Sequence, residues 1–372
     1  MLCITALRAS SAHTTVTAHA AVRLREEPME STYIVATAGQ GVIRSADQGK
    51  TWHRTGLNQP FAFDAIVRSL DSDPVNAAMV YAGTDVGLCR SYDAGSNWEL
   101  VDSPFSGQTV WKVAVDPKNP DRILVGTGAP SRANLWRSLD GGRNWTRANV
   151  DIPEFCGGVQ RPRLLAISYD PNDPKRLWFG LEEGGLFLSQ DGGDNWQRMD
   201  GRLLWDFRSD IHAVTVLPDS DNTVVVIAVN AIYTTRNGGD SWEGRLAQDT
   251  FGLYYARALW VAPDTTTLYL SVSDGTPGTT SRVYTSADGA KTWNPCSFSD
   301  EPASCIWALK ANSRDQSKLI GGTKYGELFL THDGGRLWRK EWRSFSEITD
   351  VLWLPVRANI KASHKSLVNT QA

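Results

Sequence analysis

Ser45-Ala46-Asp47-Gln48-Gly49-Lys50-Thr51-Trp52 is the first of seven copies of one pattern, Ser/Thr-x-Asp/Asn-x-Gly-x-x-Trp. The others run Ser91–Trp98, Ser138–Trp145, Ser189–Trp196, Thr235–Trp242, Ser286–Trp293 and Thr331–Trp338. Their third position falls at Asp47, Asp93, Asp140, Asp191, Asn237, Asp288 and Asp333, with separations of 46, 47, 51, 46, 51 and 45 residues. A period of that size marks a supersecondary unit repeated around or along one architecture.

Each box reads as a turn. The Ser or Thr hydroxyl and the Asp carboxylate are placed to accept bonds from nearby backbone N–H groups and hold a tight hairpin. Glycine at the fifth position supplies a conformation that side chains with a Cβ resist. The closing Trp starts the next strand and is expected to bury its ring between units. The sixth box carries Ala290 after Gly289, which predicts a slightly re-formed turn, and the fifth keeps an acceptor in Asn237 but no charge.

The segments between boxes repeat as well. Trp111-Lys112-Val113-Ala114-Val115-Asp116-Pro117 is an alternating strand ending in a Pro turn, and it has counterparts at Arg163–Pro171, Ile211–Pro218 and Arg257–Pro263. Two further β-rich runs follow before the next box, such as Met79–Thr84 and Gly87–Ser91. A unit is therefore strand A, Pro turn, strand B, strand C, box and strand D. Four short antiparallel strands every ~45 residues is the signature of a β-propeller blade.

The strand count adds a closure. The fold begins at Thr32–Thr37, which matches strand B, and ends at Ile348–Pro355, which matches strand A. The last strand is thus expected to complete the first blade and to leave the inner strands at the seam without an open edge. The predicted fold class is all-β: a single seven-bladed propeller over residues 30–357, preceded by a disordered leader or over-long start at 1–29 and followed by a flexible tail at 358–372.

Bulk properties bound the function. A net charge of -3 and a pI near 6.1 give no pull towards nucleic acid or anionic membrane. No apolar run approaches the ~20 residues of a membrane span. Five cysteines without regular spacing read as free thiols, although Cys296 and Cys305 are close enough in sequence to pair. No Cys/His motif points to a metal, and no cofactor is expected. Without a secretory signal, the expected location is the cytoplasm.

The boxes resemble the Asp-box (BNR) repeat superfamily, which includes sialidases, sortilin-type receptors, xyloglucan-cleaving glycosidases and a photosystem assembly factor. The resemblance implies that the box residues are structural and sit on outer turns away from the ligand face. It also implies a choice of activities, because this fold hosts hydrolases, receptors and scaffolds. Sialidases carry an Arg in a Phe/Tyr-Arg-Ile-Pro segment before the first box, where this chain has Thr32-Tyr33-Ile34-Val35-Ala36. A Tyr-Glu pair has only Tyr325-Gly326-Glu327 as a counterpart.

A ligand site is expected where the D-to-A and B-to-C loops surround the channel mouth. Aligning strands A by their Pro turns gives a mouth row of Ile66, Thr109, Arg163, His212, Arg257, Cys305 and Thr349. Arg163, His212 and Arg257 stand on three consecutive blades, with Arg161, Arg208, Asp210 and Tyr255 close in sequence. Such a cluster suits a carboxylate, phosphate or sulfate. The alternative is ion pairing with Asp210, Glu182 or Glu183 along a wet channel. Trp111, Trp136, Trp205, Tyr254, Tyr255, Trp307 and Tyr325 are candidates for stacking on a sugar. Asp350, Asp210, Asp64, Glu182, Glu183 and Asp274 are mouth-side carboxylates. A pair ~5–9 Å apart would serve glycoside hydrolysis. Asp350, Asp210 and His212 are the catalytic candidates. Arg163, His212, Arg257, Trp111, Tyr255 and Trp307 are the ligand-binding ones.

The primary expectation is a binding module for a small polar or anionic ligand, a carbohydrate or a protein partner. A glycoside hydrolase, sialidase-like or otherwise exo-acting, or another small-molecule enzyme using the same mouth, is the alternative.

Overall fold

The computed structural model describes residues 31–56, 65–199, 210–219, 221–262 and 266–355. Seven sheets, antiparallel throughout except for one added strand in blade 7, follow one another round a central channel. Blade 1 is assembled from both ends of the fold: Ile348–Leu354 pairs with Thr32–Thr37, from Thr32 opposite Leu354 to Ala36 opposite Asp350. The expected closing strand is in place. The innermost strands A of blades 2 to 7 are Val67–Ser72, Val110–Val115, Arg163–Tyr169, Ile211–Val216, Tyr255–Val261 and Ile306–Asn312. Six sheets have four strands; blade 7 gains a fifth, Ser297–Phe298, which lies parallel to Leu337–Lys340 and follows strand D of blade 6. The leader, the tail, Asp64, Trp205 and Arg208 lie outside the described residues.

The apolar residues do not form one core. They form seven clusters, each shared by two neighbouring blades. Strands B and C are buried on both faces, as in Ile123–Thr127, which explains their continuous apolar runs. Strands D, such as Thr146–Arg147, are exposed. The Trp closing each box enters the cluster towards the preceding blade, one ring per interface: Trp98 with Ile34 and Val67, Trp145 with Tyr81 and Val125, Trp338 with Tyr269 and Val283. Close approach is bought by small residues on strand B. A Cβ on Gly180 would stand 2.3 Å from Ile211 Cγ2 of the next blade.

The box turns are built by the predicted bonds. In the first, Gly49 N–H donates to Ser45 Oγ (2.8 Å) and Thr51 N–H to Asp47 Oδ1 (2.9 Å). The seventh box residue usually adds a side-chain donor to the acid, as Asn144 does to Asp140 at 2.6 Å. In the fifth box the direction reverses, and Asn237 donates to Ser241 Oγ at 2.9 Å. The sixth turn is not re-formed: Ala290 keeps the left-handed φ of +66° and the bond from its N–H to Ser286 Oγ (3.0 Å). The Ser286 and Asp288 bonds hold this geometry, so the alanine carries backbone strain where the other boxes have glycine.

Candidate functional site

Strand A of each blade starts at the loop-rich mouth and ends on the opposite face, shortly before a Pro in every blade but the seventh, where Asn312-Ser313-Arg314 makes the turn. Antiparallel pairing then puts the box turns on the face opposite the mouth. Every strand A also breaks register with strand B near its mouth end, and blade 7 does so again between Ala311 and Asn312. The residues skipped at the mouth end are Thr349, Arg68, Trp111, Leu165, His212 and Trp307, with Arg257 and Ala258 skipped together in blade 6. A bulge turns one side chain out of the ladder. All seven bulge positions line a channel cavity of about 730 Å³.

This register corrects the sequence-derived row. His212, Arg257 and Thr349 belong to the ring, but its other members are Arg68, Trp111, Leu165 and Trp307. Ile66, Thr109, Arg163 and Cys305 lie two residues earlier on their strands. Ile66 and Arg163 bridge to Ala38 and Gly128 of the preceding blade, and Cys305 is buried. The Arg163 guanidinium still reaches the mouth and pairs with Glu182 at 3.0 Å.

The two ring tryptophans are wrapped in cations. Arg68 and Arg163, on the blades either side, stand 3.9 and 4.7 Å from the Trp111 ring centroid. Arg257 and Lys324 stand 3.6 and 3.9 Å from that of Trp307. The electron-rich faces of these indoles attract and orient the cations beside them. Trp136 packs against Phe105 in the blade 2–3 interface, and Tyr254 and Tyr325 are exposed. Lys324 is paired with Glu347. The Nη1 of Arg257 is buried and makes no hydrogen bond.

Beside Arg257 sits a group of titratable side chains, Glu182, Asp210 and His212. His212 is buried, with Nδ1 2.8 Å from the Ala256 carbonyl and its ring 5.2 Å from that of Tyr255. Burial, with Arg257 adding to it, depresses the imidazole to about 3. Its Nε2 faces Asp210 Oδ1 at 3.5 Å. Burial and the charge of Glu182 push the Asp210 carboxyl up to about 7. Glu182, Asp210 and His212 were not singled out as a set by sequence; Glu182 arrives from the end of strand B of blade 4, opposite Arg163.

Asp350 stands deeper. Its Oδ2 accepts from Lys310 Nζ (2.8 Å) and from Leu70 N–H (2.8 Å). Asp71 likewise takes Val115 N–H at 2.8 Å and Ser168 takes Val216 N–H at 3.3 Å. The inner strands have no partner on their channel side, so side chains of the preceding blade satisfy their N–H groups. Asp350 carries out that binding duty while also lining the channel cavity. Asp274 is engaged by Thr279 and Thr280 of its own loop. The described cysteines are free, and no helix among the described residues is long and apolar enough to cross a membrane.

The chain is similar to proteins of three kinds. The model of the Sortilin-Vps10 family (sortilin, neurotensin receptor 3) matches residues 87–205. An oligoxyloglucan-reducing end-specific xyloglucanase of Emericella nidulans is 24% identical over 76% of this chain and 42% of its own length. The photosystem II assembly lipoprotein Ycf48 of a Synechococcus strain is 28% identical over 40% of each chain. Among solved structures, a GH74 enzyme of Niastella koreensis superposes with a TM-score of 0.60 at 22% identity, over 74% of this chain and 45% of that one. The chain spans less than half the length of these curated relatives.

Proposed function

We propose that this propeller binds a small ligand bearing a carboxylate or phosphate, an acidic sugar among them, at the channel mouth. The observation that carries this reading is Arg257: a guanidinium held on Trp307, with a buried Nη1 that makes no hydrogen bond. A guanidinium gains most from a planar or tetrahedral oxyanion that accepts two bonds at once. Arg163 and Lys324 stand at the same mouth, each already paired with a carboxylate. The test is calorimetric titration with glucuronate and inorganic phosphate, in the presence of EDTA. Binding lost in Arg257→Ala and weakened in Arg257→Lys supports the reading. Equal affinity in wild type and Arg257→Ala overturns it.

The hydrolase reading keeps two observations in its favour. Glu182 and Asp210 present carboxylate oxygens within 4.8 Å of one another, and xyloglucanases are among the similar proteins. Retaining glycosidases hold their two carboxyl groups about 5–5.5 Å apart, the nearer of the two glycosidase geometries to this pair. Release of sugar from xyloglucan oligosaccharides or sialosides, abolished by Asp210→Asn, would support it; an inactive wild-type protein would sink it.

A further inference from the structure

Among the described residues one group of side chains has metal-ligating atoms all within 4.8 Å of one another: Glu182, Asp210 and His212. Two carboxylates near a histidine are common without consequence. Here a second observation sets the group apart. The His212 side chain is only 2% exposed. Its Nδ1 lies 2.8 Å from the Ala256 carbonyl oxygen. A carbonyl only accepts, so Nδ1 carries the proton and Nε2 is left as a lone pair. Asp210 Oδ1 lies 3.5 Å from Nε2 and is itself buried with no hydrogen-bond donor. Two acceptors at that distance in a buried site repel unless a proton or a cation is shared between them.

We propose that Glu182, Asp210 and His212 form the binding site of a single divalent cation of the zinc class. Zn–N and Zn–O bonds of about 2.0–2.2 Å imply ligand-to-ligand edges of about 3.4 Å in a tetrahedral site. The Nε2 and Oδ1 atoms are already 3.5 Å apart. Glu182 has one oxygen held by Arg163 at 3.0 Å, which orients the carboxylate and leaves the other oxygen to bind. The Nδ1–H bond to Ala256 is the outer-shell contact that fixes a ligating imidazole. One nitrogen and two oxygens favour zinc-class ions over magnesium or calcium, which take all-oxygen shells. Three protein ligands leave a coordination position open to the mouth. An oxyanion there would touch the cation and Arg257 together, so the cation would be a second anchor for the ligand proposed above.

The cation is tested without any such anion, which keeps the two readings separable. EDTA-treated, dialysed full-length protein is titrated with Zn²⁺ by calorimetry, with Mg²⁺ in parallel, and with Co²⁺ by visible absorption. The expected result is one Zn²⁺ per chain, no saturable Mg²⁺ binding, and a Co²⁺ spectrum of low coordination number. Glu182→Gln and Asp210→Asn should each weaken Zn²⁺ by at least about tenfold, since even outer-shell losses cost that much. His212→Gln should remove binding, and the Glu182→Gln result stands if that variant fails to fold. Zinc affinity unchanged in both carboxylate variants would show binding elsewhere and overturn the proposal. So would a wild-type protein that takes up no Zn²⁺, with Asp210 then holding a proton against His212.

Discussion

Lys310 and Asp350 meet at 2.8 Å across the seam between blades 7 and 1, and both also hold Leu70 of blade 2, the lysine by its carbonyl (2.6 Å) and the acid by its N–H. The pair therefore ties three blades together where the ring closes. Both side chains are about nine-tenths buried.

Removing one member should leave an unpaired buried charge. Asp350→Ala is expected to destabilise the protein by about 3–5 kcal/mol, whereas Lys310→Met with Asp350→Leu should cost less, because it removes both charges and leaves only the Leu70 N–H and carbonyl without their partners. Urea unfolding of the single and double variants measures this. Oxyanion binding at the mouth should be unchanged in folded Asp350→Asn, and loss of it would return Asp350 to the site.

Ala290 occupies a left-handed conformation that the other boxes give to glycine. Ala290→Gly should stabilise by about 0.5–1 kcal/mol, the relief of backbone strain outweighing the added freedom of the unfolded chain. Thermal unfolding checks it. A lower midpoint would mean that the Ala290 methyl contributes more by packing in the blade 5–6 interface than it costs in strain.

Gly180 is a site of the opposite sign. Its added methyl would overlap Ile211, so Gly180→Ala should cost about 1–3 kcal/mol as an overpacking defect. Because Ile211 lies between Asp210 and His212, the same variant should disturb the mouth. Chemical shifts of the His212 ring would report that, and an unmoved ring would show that the blade 4–5 interface absorbs the methyl locally.

The box acids set an acid limit. Asn144 and its N–H hold the Asp140 carboxyl at about 2, and the Asn195 N–H and side chain do the same for Asp191. A carboxyl near 3.9 in the unfolded chain and near 2 in the fold adds stability that is complete above about pH 4–5 and disappears as the pH falls through about 2. Wild type should lose its advantage over the Asp140→Asn, Asp191→Asn double variant across that window. A constant difference from pH 7 to pH 2 would contradict it.

Seven boxes, the strand order and the closing strand were legible because each is written in local chemistry: a hydroxyl and an acid at fixed offsets, a glycine, a Trp, alternating apolar residues. The mouth was half legible. His212, Arg257, Trp111 and Trp307 could be placed near it from strand position, but Arg163 and Cys305 were aligned with ring members from which they stand two residues away. Side chains two apart on a strand share a face, so a slip of two leaves the apolar pattern intact. Only the bulges break that degeneracy.

The sequence by itself thus determined the number of blades, their strands and the role of the boxes, because those depend on contacts within about ten residues. Tertiary structure alone decided which side chain of each strand A enters the channel, that Asp350 is spent on Leu70 and Lys310, and that Glu182 comes to Asp210 and His212. Those outcomes depend on register between strands and on packing between blades, where one displaced residue redirects a side chain without altering the local pattern that specified the strand.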